Sequence, residues 1–466
     1  MKTKHKNPFL STSLSRLLFK FSAPAVAGMI AGALYNIIAR LLIGNDIGHL
    51  GIAGITVTFP LVILYMAFSA FMGVGGNALF SIYLGKKDID KAENIMGNTL
   101  VMLILVSVGV SVFLYIFLEK ALVLVGASAD VLPYAKEYMD IAMIGFTIWG
   151  IGAGMNHFIR SSGYPKTALV TQIVGNLVNI LVGILFVYYF HWGMKGVAWA
   201  SVFGQVFSAG WILYFFLSKK SPYKVRIKNF VLKTDIILAM SAIGVSQFVF
   251  QISSSLLNFI LNRSLVHYGG DIALAAIGIV MSVNSMIIFT ILGISQGTQP
   301  LIGYNYGAKH FSNAIQTTKM AIRWSSLILI IGFLITEIFA VPVVKLFNST
   351  NTDLINMAAR GLRFVNFMLP IISLHIFGST YFQAINKPVQ ATILSLTRQV
   401  LLLIPFVLIL PLFFGLDGVF LATTFADFFA CLISAILLHH YFHKYNQTLL
   451  ISSKLHKKIK IFRTLE

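Results

Sequence analysis

Of the fifteen Asp and Glu residues in this 466-residue chain, Glu337 and Asp427 stand well inside long apolar stretches, and the others fall in polar loops or near stretch ends. A carboxylate within a bilayer costs about 2.5–3.5 kcal/mol on insertion scales, so it is a candidate for pairing with a cation, carrying a proton or holding an ion. Arg398 is the candidate partner of Asp427. Asp427 lies roughly 18 Å down the last apolar stretch from its outer end, and Arg398 roughly 13 Å up the preceding one from its inner end. In a hydrocarbon core about 30 Å thick these are the same depth. The two stretches form a hairpin, so an ion pair is expected, with a structural lock as its first role. Coupling to ion flow would require the pair to open, because pairing favours the ionised carboxylate and a permanently paired acid carries no proton. Glu337 lies in the outer third of the ninth stretch and is expected to reach headgroups.

Neutral polar residues offer a second chemistry, the lining of a substrate path. Tyr35, Asn36, Asn176, Asn179 and Gln205 in the first half and Gln251, Asn258, Asn284, Gln296 and Gln299 in the second are the candidates. The competing use is interhelical hydrogen bonding, worth about 0.6–2 kcal/mol per bond, and about half of them are expected to face a cavity. Arg40 and Arg263 hold matching places near outer ends and should snorkel to headgroups or brace an outer gate. His157 and His375 each read as hydrogen-bonded core residues. The 39 Phe, 17 Tyr and 16 Met residues suit loose binding of lipophilic cations, although most must face lipid or pack helices. No G-x-x-x-x-G-K-[ST] run exists, the nearest being LGKKD at Leu84–Asp88, and no H-E-x-x-H. An ATP-driven pump or zinc protease is therefore unsupported, and no enzyme activity, metal or organic cofactor is expected.

The elements that must position these residues follow from composition. The chain is 57% hydrophobic and 11% charged, with a mean hydropathy of +0.84, which places it in the membrane. Each spanning helix needs about 20 apolar residues. Twelve such stretches begin near Leu17, Gly51, Asn94, Tyr134, Thr167, Gly193, Ile236, Asp271, Ala321, Leu354, Val389 and Gly415. The first is too long for a signal-peptide core and lacks a small-x-small cleavage site, so it reads as a retained helix. With Cys431 alone, an intramolecular disulfide is impossible.

The formal charge of +20 does not point to nucleic acid. Lys and Arg gather at the N-terminus, at Lys86, Lys87 and Lys91, from Lys219 to Lys233, at Lys309 and Lys319, and from Lys444 to Arg463, all on one side if twelve helices alternate. This is the positive-inside pattern, and it predicts cytoplasmic termini. Membrane lipids, including anionic headgroups near the tail, are the expected surroundings, and a monomer is expected.

The two halves repeat. GMKGVAWASVFGQ (Gly193–Gln205) recurs as GLDGVFLATTFAD (Gly415–Asp427), FIRSSGYPKTA (Phe158–Ala168) as YFQAINKPVQA (Tyr381–Ala391), and the Gly73–Ala92 turn as Gly293–Ala314 with two extra residues. Six helices is an even number, so the repeats point the same way, with a pseudo-twofold along the membrane normal and the substrate path between them. The expected plan is an all-α integral membrane protein of twelve helices: an N-terminal lobe over 1–218, a basic linker over 219–235, a C-terminal lobe over 236–442 and a basic tail over 443–466. Pro24, Pro60, Pro370, Pro405 and the Gly73–Gly76 run are candidate bends for lobe rocking.

SAPAVAGMIAGALYNIIARLLIG, GVGGNALFSIYLGKKDIDKAENIMGN, FIRSSGYPKTAL, GNLVNI, GISQGTQPLIGYNYGAK and TRQVLLLIPFVLILPLFFGLDGVFLATTFAD, in order, resemble the multidrug and toxic compound extrusion (MATE) family, most closely its bacterial DinF-like and MepA-like branch. The resemblance implies an antiporter in a bacterial cytoplasmic membrane that expels amphipathic, usually cationic, drugs or other organic compounds in exchange for protons or sodium ions. It also implies a cation site in the first lobe, and there the chain departs from the family. An Asp usual before the Arg of Y-N-x-x-D-R is Ala39 in YNIIAR, and one usual four residues after Asn179 is Gly183; Asn179 and Ser201 are the site members retained. These departures put coupling at that site in doubt. They keep two alternatives open, a lipid-linked precursor flippase of the same superfamily and a non-transporting sensor or pseudo-transporter.

Overall fold

The computed structural model describes residues 13–46, 49–347 and 351–463, with the backbone alone described for 34–46, 49–50, 52, 271, 274 and 445–463. The described residues are almost wholly helical. The first lobe comprises α1 (Leu14–Asp46), α2 (His49–Gly85), α3 (Ile89–Leu124), α4 (Leu132–Ser161), α5 (Pro165–Ile184) and α6 (Gly193–Leu217). The second comprises α7 (Thr234–Gly270), α8 (Ala275–Gly307), α9 (Phe311–Ile338), α10, α11 (Pro388–Ile409) and α12, which runs from Pro411 to Arg463. Helix α10 has two arms, Thr352–Asn366 and Leu369–Ala384, bent by 50°. Pro370 opens the second arm, where its missing N–H and fixed φ cost nothing because a helix start leaves that donor free. Counting the arms as one span gives twelve helices long and apolar enough to cross a bilayer, and eleven pass that test alone. This is an all-α fold of membrane-spanning helices.

The repeat seen in the residues extends to unusual backbone positions. Lys87 and Lys309 both take positive φ (62° and 60°) at the turns after α2 and α8. Each closes a C-terminal cap of the Schellman type, with Asp88 N–H on the Tyr83 carbonyl (3.1 Å) and His310 N–H on that of Asn305 (2.8 Å). Gly193 turns the chain into α6 and Gly415 kinks α12 four residues after its start, with φ of 52° and 55°, a region that disfavours a Cβ. Pro165 and Pro388 start α5 and α11. The fifth helix of each lobe also carries a π-helical turn, Leu185–Tyr189 and Thr397–Leu403.

Glycine lets the lobes meet closely. A Cβ on Gly85 would strike the Tyr304 carbonyl, and one on Gly307 would strike that of Ile82. Ile82 and Tyr304 are themselves repeat mates, so this α2–α8 crossing is self-complementary, as at an interface between identical subunits. Farther from the basic turns, Gly75 abuts the Met240 carbonyl of α7, and Gly297 abuts Phe21 and Ser22 of α1. Helix α2 runs through Gly73–Gly76 as one continuous helix. Those glycines allow close approach to Gly154, α7 and Thr99. One apolar cluster continues across the boundary, with Leu17, Phe21, Phe80 and Phe158 from the first lobe and Ile243, Ile294, Leu301 and Tyr304 from the second.

The linker is strapped to α3. Asn98, fully buried, donates to the carbonyls of Asn229 (3.1 Å) and Val231 (3.0 Å) and accepts from Lys233 N–H (2.7 Å). Glu93 accepts from Lys224 N–H at 2.8 Å and lies 3.6 Å from the Arg226 guanidinium. Tyr223 stands edge-on to Phe80, and burial pushes its phenol up to about 12, so it stays protonated as a packing group. The tail is helical backbone continuous with α12 through Arg463.

Candidate functional site

In the first lobe, Thr171, Gly175, Asn179 and Gly183 recur every fourth residue along α5 and are all buried, as expected of one helix face. That face meets α6, where a Cβ on Gly204 would come within 2.8 Å of the Asn179 Cβ. Ser201, also buried, donates back to the Val197 carbonyl at 3.2 Å. Asn176 and Gln205 are half-buried. Tyr35, Asn36 and Ala39 belong to the helical course of α1, but their side chains lie outside the described residues. The described part of this site offers amide and hydroxyl oxygens and no carboxylate, a weak set for a bare cation.

Between the lobes runs a polar seam. Asn77 of α2 donates to Gln299 of α8 (3.5 Å) and accepts from Ser161 of α4 (2.6 Å). Gln383 of α10 accepts from both Gln247 (3.2 Å) and Gln299 (3.4 Å). Arg160, 4% exposed, donates to Asn156 at 2.5 Å and reaches Gln296 of the other lobe. Gln296 and Gln299 are thus seam residues in this conformation, hydrogen-bonded between helices, the competing use weighed for the polar candidates. Gln251 is half-buried on α7 and Asn258 exposed. Asn284 on α8 has a buried Oδ1 without a hydrogen-bond partner. Glu337 is half-buried near the end of α9, where its backbone carbonyl accepts from Arg363 Nε at 3.2 Å.

Inside the second lobe, Arg398 Nε donates to Asp427 Oδ1 at 2.6 Å, with side chains 20% and 4% exposed. The π-helical turn of α11 carries Arg398, and such a turn commonly re-aims side chains at functional sites. Asp427, Cys431 and Ser434 share one face of α12, with Cys431 Sγ on the Ile371 carbonyl (3.3 Å) and Ser434 Oγ 3.2 Å from His375 Nδ1. At the repeat positions the first lobe has Gly152, Gly175, Gln205 and Ala209 in place of His375, Arg398, Asp427 and Cys431. Close packing occupies that place: a Cβ on Gly152 would sit 3.3 Å from Ala209, and one on Gly175 2.8 Å from Ser208. The lobes share a backbone plan and differ in this charged patch.

Sequence reasoning passed over Arg160 because it lies one residue from a helix end, where arginine commonly snorkels. Two signals mark it: Asn156 one turn earlier, and the polar Gln383 at its repeat position.

A duplicated plan of this kind is matched by a family model, MatE, which fits residues 24–185 and again 247–409. The chain belongs to the MATE family. Among its curated relatives, the multidrug export protein MepA of Staphylococcus haemolyticus is 23% identical over 428 residues, covering 92% of this chain and 94% of the relative. MepA of a Staphylococcus aureus strain is 23% identical over 446 residues, covering 94% and 96%. Among solved structures, a multidrug resistance MATE family transporter in an outward-facing conformation aligns with a TM-score of 0.89 at 21% identity, over 96% of this chain and 100% of that one. A transporter of the MOP superfamily from Pyrococcus furiosus, described by the reverse polarity of its binding pocket, also gives 0.89 at 21%, over 95% and 98%. The MATE fold therefore spans both lobes here.

Proposed function

We propose that this MATE chain is a secondary active exporter that expels amphipathic organic cations in exchange for protons or sodium ions, by alternating access between its lobes. The observation that carries this reading is the double family match, one copy per lobe, together with full-length likeness to proteins named for multidrug export. The polar and glycine-lined seam joins the lobes on the side of the basic turns, which the positive-inside pattern assigns to the cytoplasm along with both termini. Opening it would expose Gln296 and Gln299 to cargo from that side. Aromatic and methionine side chains in the separated faces would hold lipophilic cations.

Coupling in this reading does not use the first-lobe carboxylates, which Ala39 and Gly183 replace. Asp427 is the buried acid left to the second lobe, and with Arg398 beside it its first role is to lock α11 to α12. It becomes an ion carrier only if Arg398 moves away during the cycle. A phosphate-bearing lipid cargo would call for a strongly cationic cleft, and with Arg398 neutralised by Asp427 the seam offers only the Arg160 guanidinium among the described residues, so export of cations is the stronger reading. Everted membrane vesicles from cells expressing the chain should accumulate a fluorescent lipophilic cation on energisation. Accumulation equal to that in vesicles lacking the chain would refute export.

A further inference from the structure

Arg160 presents a charge that export chemistry has not yet used. It stands one residue before the end of α4, 4% exposed, and none of the ion pairs among the described residues includes it. Its two bonded partners, Asn156 and Gln296, are neutral amides, and its Nε is buried without an acceptor. A guanidinium does not shed its proton to escape burial. The negative end of the α4 dipole helps to hold it, but supplies only about half an elementary charge. A positive charge therefore remains inside the seam.

The surroundings give that charge a use. Gln247, Gln383, Gln299, Asn77 and Ser161 form a continuous file of hydrogen-bonded amides and hydroxyls through the junction, flanked by the dry cluster of Leu17, Phe21, Phe80 and Phe158. Polar groups gathered at the junction offer protons or small cations a place to cross it. Arg160 adjoins Ser161 in the chain and reaches across the same boundary to Gln296. A fixed cation at such a polar junction would repel protons and cations electrostatically, as an arginine does in selective pores.

We infer that Arg160 is the electrostatic barrier of the closed seam, a specificity-determining charge that keeps protons and small cations from crossing without cargo. The inference rests on the transporter reading above. At an effective dielectric near 20, a unit charge about 5 Å from a passing cation slows its passage on the order of a hundredfold.

The test is passive proton and sodium flux into proteoliposomes of the full chain, without cargo. Arg160→Gln should raise the leak at least about tenfold, while Arg160→Lys, which keeps the charge and loses the fork, should stay near wild type. Gln296→Glu places a carboxylate against the intact guanidinium, cancels its field without removing the side chain, and should also leak. This second variant keeps the proposal open to refutation if Arg160→Gln fails to fold. A folded Arg160→Gln or Gln296→Glu as tight as wild type would overturn the barrier, and so would a leak in Arg160→Lys equal to that in Arg160→Gln. Cargo efflux measured in the wild-type vesicles separates the two readings: its absence counts against export, whereas efflux with tight variants counts against the barrier alone.

Discussion

Arg398 and Asp427 meet at 2.6 Å within the second lobe, where a π-helical turn in α11 delivers the guanidinium to the carboxylate that ends the repeated ATTFAD segment of α12. Removing one partner of a buried pair strands the other charge and costs about 3–5 kcal/mol. Asp427→Leu and Arg398→Leu should therefore each lower folded yield sharply, while the double variant recovers much of the loss. A double-mutant cycle on thermal stability in detergent checks this. Additive losses would show that the two groups do not depend on each other.

Restoring acids to the first-lobe site is a gain-of-function test. Ala39→Asp, alone or with Gly183→Asp, should increase gradient-driven efflux, because an oxygen set with a carboxylate holds a proton or sodium ion better than Asn179 and Ser201 alone. Unchanged, strongly ion-dependent efflux in both variants would move coupling elsewhere.

The seam glycines should tolerate little. Gly307→Ala drives a methyl group into the Ile82 carbonyl, an overpacking fault that costs about 1–3 kcal/mol. The expected result is a lower melting temperature, with a similar fall for Gly85→Ala at the repeat position. A melting temperature equal to wild type would mean that the lobes do not pack there.

The strap on the linker is also open to measurement. Asn98→Ala removes three hydrogen bonds to linker backbone, and leaving buried groups unpaired costs about 1–3 kcal/mol. Trypsin should then cut faster at Lys224, Arg226 and Lys228, since local opening governs cleavage. Equal cleavage rates would place the strap's stability elsewhere.

Much of the fold was legible in the residues because spanning helices obey one strong rule of length and apolarity, and because the repeat ties each lobe to the other. The Arg398–Asp427 contact was legible for a related reason, since depth along two adjacent helices is arithmetic on rise per residue. Which polar residues bond between helices was not legible, because polarity within a helix does not tell a cavity wall from a hydrogen-bonded seam; Gln296 and Gln299 take the second use in the conformation described. The close approach at Gly73–Gly76 was not legible, because glycine both loosens a helix and permits close approach, and the second use shows only in the neighbours Gly154, Met240 and Thr99. Arg160 escaped notice because it lies one residue from a helix end, and its partner Gln296 belongs to the other lobe's α8, far away in the chain.

The most direct test of the account is efflux of a fluorescent organic cation from proteoliposomes of the purified chain, with proton and sodium gradients imposed separately. Gradient-driven exchange by the two-lobe bundle predicts that at least one inward gradient accelerates efflux of the cation and that dissipating it stops the acceleration. Efflux that no gradient changes, or none above empty liposomes, would contradict it.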